Sequence, residues 1–261
     1  MVSQENTSTG SVSPLVSVIT VVYDGVKTIE QTILSVVNQT YRNIEYIVID
    51  GGSKDGTLDI IKKYKDRITY WVSEPDSGIY DAMNKGIRKS RGEIIGIINS
   101  DDYYENDAVA SVIHEYMKHP GSVVYGLLRY IKDGHELMIM AYHHGFLSNY
   151  MIPHPGSFVP RSLYERYGLF DLKYRCVSDH DLMLRLFENN VPFIRMERVI
   201  ANFRTDGASS SLESAIEYYS LLKEHGIISS RKALFLRIRA FISHYFNIIL
   251  GLHKDVKGVL L

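Results

Sequence analysis

Four clusters of polar residues carry the types and spacings that chemistry needs. Asp101 and Asp102 are adjacent carboxylates just after the apolar run IIGIIN, with Ser100 between. Such a pair offers hard oxygen ligands to Mg²⁺ or Mn²⁺. A cation held there could bridge a substrate diphosphate and neutralise a departing nucleotide. The same two residues also suit a turn that caps the next helix. The stretch Asp50-Gly51-Gly52-Ser53-Lys54-Asp55-Gly56-Thr57 follows another apolar run. Its glycines permit a tight turn and close backbone approach, and Asp55 and Thr57 also suit a helix cap. It is neither GxGxxG nor GxxxxGK[ST], which counts against a dinucleotide dehydrogenase and a P-loop kinase. The third cluster, SEPDSGIYDAMNKG from Ser73 to Gly86, holds Asp76 where a helix N-cap would sit. It also holds Asn84 mid-helix, where Asn is mildly unfavourable and hints at a role beyond packing. The fourth is Ser178-Asp179-His180-Asp181. Acids suit a helix N-terminus on dipole grounds. Two acids and a His are more than a cap requires, and a general base fits.

The elements that position these clusters are legible from periodicity. Strands are expected over 16–23, 44–50, 68–72 and 94–99, where β-branched and apolar residues run together. Helices are expected over 28–37, 57–64, 79–90 and 107–119, the first and last with apolar residues at helical spacing. This βαβαβαβα order argues for a parallel sheet covered on both faces. Right-handed crossovers then gather the strand C-termini on one ligand-binding edge. Tyr23-Asp24-Gly25, the Asp50 cluster and Asn99-Ser100-Asp101-Asp102 all fall there. After residue 120 the pattern changes to short antiparallel strands over 123–125, 127–131 and 137–141, with Asp133-Gly134 as a hairpin turn. A Pro/His-rich loop at 151–156 precedes helices over 161–167, 179–189, 213–225 and 230–250. No internal repeat or interdomain linker is visible. The expected division is a disordered Ser/Thr/Gly-rich start (1–13), one α/β unit (14–225) covered in part by its own second half, and an amphipathic C-terminal helix region (226–261).

Composition narrows the classes. The 261 residues include 29 Lys+Arg against 30 Asp+Glu, for a net charge of −1, with 45% hydrophobic and 23% charged residues. These values exclude wholesale disorder, collagen-like sequence and coiled coil. They give no global basic field for nucleic acid. The single cysteine, Cys176, can form neither an internal disulfide nor a Cys-rich zinc site. The polar start lacks a signal-peptide h-region, and no apolar stretch reaches the ~20 residues of a membrane helix. A cytoplasmic protein is expected, with one reservation. Residues 226–261 hold six Lys/Arg and one acid, net +5, whereas 1–225 hold 23 against 29, net −6. A stripe of Leu234, Phe235, Ile238, Phe241, Ile242, Tyr245, Phe246 and Ile249 runs along that segment. It suits an interfacial helix near anionic lipid, and equally a helix packed on the core or on a second subunit.

Taken together, the four clusters resemble the inverting nucleotide-sugar glycosyltransferases of family 2, over about residues 14–205. VSVITVVYDG is similar to the family's first strand and donor loop, with Asp24 in place of the usual Asn. IVIDGGSKDGT resembles the second-strand motif, with Gly51 where the second of two acids usually stands. SEPDSGIYDAMNKGI and NSDD resemble the third and fourth blocks, with Ser100 first in the Asp-X-Asp position. The resemblance implies the GT-A fold: a Rossmann-like, mostly parallel sheet with helices on both faces, a small antiparallel element and C-terminal helices. It implies a nucleoside diphosphate sugar, by preference a UDP-sugar, contacted by Thr20, Tyr23, Asp50, Asp76, Asn84, Ser100, Asp101, His154 and Arg204. It places Mn²⁺ or Mg²⁺ on Asp102 and the base on Asp179. A hexosyl or N-acetylhexosaminyl group would pass with inversion to a hydroxyl of a saccharide or lipid-linked acceptor, in surface-polysaccharide or glycoconjugate assembly. A nucleotidyltransferase and a non-catalytic nucleotide-sugar binder are the rival classes.

The base has three candidates. Asp179 and Asp181 point about 200° apart on a helix. Asp179 shares the face of Leu182 and Met183, whereas Asp181 stands four residues before Arg185 and can pair with it. His180 lies between them.

Overall fold

The structure is a computed structural model that describes residues 13–205 and 212–249. The expected disordered start at 1–13 falls almost wholly outside the described residues.

The first half alternates as β1 (Val16–Val22), α1 (Ile29–Val37), β2 (Ile44–Asp50), α2 (Thr57–Lys63), β3 (Tyr70–Ser73), α3 (Ile79–Lys89) and β4 (Ile94–Asn99). Then come β5 (Tyr103–Tyr104), α4 (Ala108–Lys118), β6 (Val123–Lys132), β7 (His135–Met140), β8 (Ser157–Pro160), α5 (Arg161–Tyr167), α6 (Ser178–Glu188), β9 (Phe193–Arg204), α7 (Leu212–Glu224) and α8 (Ser230–Ile249). The strands form one sheet in the order β3-β2-β1-β4-β8-β6-β9-β5, with β7 on β6. β3, β2, β1 and β4 are mutually parallel.

Side-chain alternation along these strands builds two cores, one per face. Ile19, Val21, Ile47, Ile49, Ile95 and Ile97 pack with Met83 and Ile87 of α3 and Leu182, Met183 and Leu186 of α6. Val16, Val18, Val22, Val48, Ile94 and Ile98 pack with Ile29 and Ile33 of α1 and Val109 and Val112 of α4. All seven residues of β1 are buried, which explains its unbroken β-branched and apolar reading. At Gly86 a Cβ would lie 2.5 Å from Ile19 Cγ2, so the glycine lets α3 lie close on β1.

The second half departs from the expectation in two ways. The segments 123–125 and 127–131 are one strand, β6, whose register on β9 slips around Gly126. β8 and β9 carry no expectation from sequence, yet they complete the sheet. β8 runs antiparallel between β4 and β6, and β9 runs parallel to β6. In β9 the buried residues Phe193, Met196, Ile200, Ala201 and Asn202 follow no clean period of two, because of that register slip. The hairpin turn is present, with φ of 50° at Asp133 and 78° at Gly134. Among the described residues no helix is long and apolar enough to cross a membrane.

Candidate active site

The ligand edge is built first from the loops after β1 and β2, which fasten each other. Asp24 takes φ 49°, a left-handed conformation that Asp and Asn tolerate. Its N–H donates to Ser53 Oγ (2.8 Å), and its Oδ1 accepts from the Lys54 N–H (2.8 Å). Gly25 N–H donates to Thr57 Oγ1 and Val26 N–H to Asp55 Oδ2, both at 2.9 Å. Beneath them Asp50 is fully buried. It accepts from the N–H groups of Gly52 and Ser53 (3.0 Å each), from the Ser53 hydroxyl, and from the Ser73 hydroxyl (2.6 Å).

Asp50, expected to contact the donor base, lies beneath the loop. Its carboxylate already holds four donors that shape the loop. Two more residues expected to contact the donor are likewise buried and hydrogen-bonded within the fold. Thr20, in β1, is fully buried and accepts from the Tyr46 hydroxyl (3.1 Å). Asn84 is buried and exchanges two hydrogen bonds with the Phe170 backbone (2.9 and 3.0 Å), tying α3 to the loop before α6.

What faces outward is Tyr23, 68% exposed, and the partly exposed Asp76. Gly51 lies between them. A Cβ on Gly51 would come within 2.6 Å of Asp76 Oδ2 and 3.3 Å of Tyr23 Cδ2. The missing side chain at 51 thus lets a ring and a carboxylate converge, an arrangement that fits a planar base with N–H donors.

Further along the edge, four residues from separate elements form a chain. Tyr80 of α3 donates its hydroxyl to Asp179 Oδ1 (2.9 Å). Asp179 Oδ2 lies 3.1 Å from His154 Nδ1, and His154 Nε2 lies 3.2 Å from Asn99 Oδ1 at the end of β4. Asp179 sits in the first turn of α6 and is 3% exposed. Its burial works to raise the carboxyl pKa. The His154 hydrogen bond and charge, then Tyr80, outweigh that and hold it below the usual carboxylate value. The neighbours are engaged elsewhere. Asp181 Oδ2 accepts from Arg185 Nε (2.7 Å), and its Oδ1 pairs with His225 Nε2 (3.1 Å). His180 Nε2 meets the Leu147 carbonyl (2.7 Å), and its ring stacks on Tyr218. Burial lowers the pKa of His180.

The Asp101-Asp102 pair divides its roles. Asp102 is fully buried. Its Oδ1 accepts from the Arg204 N–H (2.9 Å), while its buried Oδ2 has no hydrogen-bond partner. Burial, then the charge of Asp101, push its carboxyl well above the usual range. Asp101 is partly exposed. Burial raises its carboxyl too, opposed by the charges of Arg204 and His154. The accessible oxygens of the motif are therefore those of Asp101, beside the buried Asp102 on which the cation is expected. Arg204 wraps the motif from β9: its guanidinium donates to the Asp101 carbonyl and the Gln31 side chain and lies over the Tyr103 ring (5.1 Å). Thr32 holds the same turn from α1, donating to the carbonyls of Ser100 (2.9 Å) and Asp102 (2.6 Å). Ser100 remains partly exposed beside Gly25. Among the described residues no group of three or more His, Cys, Asp or Glu could hold a metal ion. Two carboxylates, one accessible and one with an orphaned oxygen, fit a divalent cation that takes its other ligands from water and substrate phosphates.

The sequence profile of Glycosyl transferase family 2 matches residues 17–178. The chain belongs to glycosyltransferase family 2. An uncharacterized glycosyltransferase of Mycobacterium tuberculosis is 32% identical over 216 residues, covering 80% of this chain and 82% of that protein. The fold is shared with S. aureus TarS 1-349 in complex with UDP-GlcNAc, at a TM-score of 0.68 and 15% identity, covering 88% of this chain and 72% of that one. It is shared too with the mannosyltransferase PcManGT from Pyrobaculum calidifontis in complex with GDP-Man and Mn²⁺. The TM-score there is 0.62 at 17% identity, with coverage of 94% and 82%. The GT-A architecture of family 2 is thus the architecture of this sheet. Tyr80 and Asn99 lie within clusters visible in the sequence, but their contacts to Asp179 and His154 do not show there. Their partners lie 99 and 55 residues away, and nothing local signals those contacts.

Proposed function

We propose that this protein transfers one sugar, with inversion at the anomeric carbon, from a nucleoside diphosphate sugar to an acceptor hydroxyl. The observation that carries the reading is Asp179, ionised and held by Tyr80 and His154 at the sheet's ligand edge. The relatives solved with UDP-GlcNAc and with GDP-Man and Mn²⁺ support the donor class.

In this reading the donor base lies against Tyr23, with Asp76 accepting its N–H groups. The ribose and diphosphate follow the edge towards Ser100 and Asp101. Asp101, backed by Asp102, would hold the divalent cation. When bound, the cation supplies positive charge to the leaving diphosphate. Arg204 keeps the turn that carries both acids in place and adds a fixed positive charge beside it. The acceptor oxygen attacks the anomeric carbon from the face opposite the diphosphate. As the new C–O bond forms, the acceptor proton passes to Asp179 Oδ2, and the bond from carbon to phosphate oxygen breaks. His154 positions Asp179 for that transfer. The acceptor belongs to a cell-surface saccharide or a lipid-linked glycan precursor.

A donor panel of UDP-glucose, UDP-GlcNAc, UDP-galactose and GDP-mannose, with Mn²⁺ or with EDTA, tests this. Metal-dependent release of UDP or GDP is expected. Release of pyrophosphate would indicate a nucleotidyltransferase instead, and donor binding without any release would indicate a non-catalytic binder.

A further inference from the structure

Helix α8 turns its strongest apolar face away from the protein. It lies against α7, and the least exposed of its described side chains are Ala233, Leu236, Ala240 and His244. At 100° per residue these centre about 170° from the stripe Leu234, Phe235, Ile238, Ile242 and Phe246. Every residue of that stripe is exposed, Phe235 by 64%. An ordinary surface helix does the reverse and packs its large apolar residues inward.

The charges around the stripe identify its occupant. Lys232 and Arg239 lie along one border, Arg237 along the other, and Arg231 in the first turn, all exposed. No acid occurs from 230 to 249. A second copy of the same helix would set cations against cations. An anionic bilayer offers hydrocarbon to the stripe and phosphates to its borders. We infer that α8 docks the protein on anionic membrane by laying Leu234, Phe235, Ile238, Ile242 and Phe246 into the lipid interface. The surface holds whatever the donor or acceptor, because binding is read without turnover.

Co-sedimentation of the full chain with vesicles of equimolar phosphatidylglycerol and phosphatidylcholine, and of phosphatidylcholine alone, tests it. Binding to the anionic vesicles is expected, weakened by high salt. The double variant Arg237→Glu/Arg239→Glu should lower the partition coefficient by about 25-fold or more, since each cation near the surface is worth about fivefold. Phe235→Ser/Ile242→Ser should abolish binding. Both variants change exposed side chains, so each should keep the wild-type circular dichroism. No binding by the wild type to anionic vesicles would overturn the inference. So would equal binding by the wild type and both variants. Light scattering of the lipid-free protein covers the rival occupant: a dimer that Phe235→Ser/Ile242→Ser dissociates, with no vesicle binding, would assign the stripe to a second copy.

Discussion

His154 Nδ1 stands 3.1 Å from Asp179 Oδ2, and through its other nitrogen the same ring reaches Asn99 at the end of β4. This bridge spans the two halves of the fold and sets the charge state of the proposed base. Because the Asp179 pKa is held down, the carboxylate stays ionised as pH falls past the ordinary carboxylate value of about 3.9. Its stabilising contribution is present above that unfolded-state value and is lost only as pH falls through the lower folded value. Ionisation of Asp179 should therefore leave no limb in the transfer rate between about pH 5 and 8, and none near the 6.5 of a histidine base. In His154→Asn the largest lowering influence is gone and burial prevails, so the acidic limb of kcat/KM moves to higher pH. A wild-type limb centred near 6.5 would assign the base to a histidine.

Asp102 behaves oppositely. Its carboxyl is pushed up by burial and by Asp101. A group of this kind stabilises the fold below its unfolded-state pKa, and that contribution is lost as pH rises through the folded value. At neutral pH Asp102 then costs stability. Asp102→Asn should melt higher than wild type near pH 7.5, with the gain shrinking towards pH 4, while sugar transfer is lost. Thermal melts at the two pH values check this, and an unchanged or lower melting temperature near neutrality would contradict it.

Tyr23 and Gly51 should act on donor affinity alone. Stacking of a base on an aromatic ring is worth about 1–3 kcal/mol. Tyr23→Ala should weaken donor binding by that amount, measured by calorimetry with UDP-GlcNAc or whichever donor turns over. Gly51→Ala adds a Cβ within 2.6 Å of Asp76 Oδ2, so it should displace that carboxylate and also weaken the donor. Wild-type affinity in both variants would remove the base from this corner.

Asp50 should prove structural. Asp50→Ala strips the acceptor from four donors around a buried turn. It should cost about 2–4 kcal/mol in denaturant unfolding, in line with the loss of hydrogen bonds to a buried charge. A variant of wild-type stability that no longer binds donor would restore Asp50 to the donor site.

The first four strands and their ligand edge were legible because β-branched runs and helical periodicities there are uninterrupted. β9 was not, since a register slip on β6 scrambles its alternation. Residue type also outran side-chain direction. Asp50 and Asp76 are equally acidic on paper, yet one is folded under its loop and the other faces outward. The same holds for Asp101 and Asp102, adjacent in sequence and opposite in exposure. Asn84 signalled a role beyond helix packing, and its role is to hold Phe170. The Tyr80–Asp179 contact joins residues 99 positions apart, which only the folded topology could bring together.

Asp179 is the proposed base. That role is tested most directly by the sugar-transfer rates of Asp179→Asn and Asp181→Asn beside donor affinity. Asp179→Asn should slow transfer by ~10²–10⁴-fold with donor Kd unchanged. Asp181→Asn, which loosens Arg185 and His225 on the far side of α6, should lower stability and leave the rate near wild type. A folded Asp181→Asn that no longer turns over, beside an Asp179→Asn that does, would contradict the assignment.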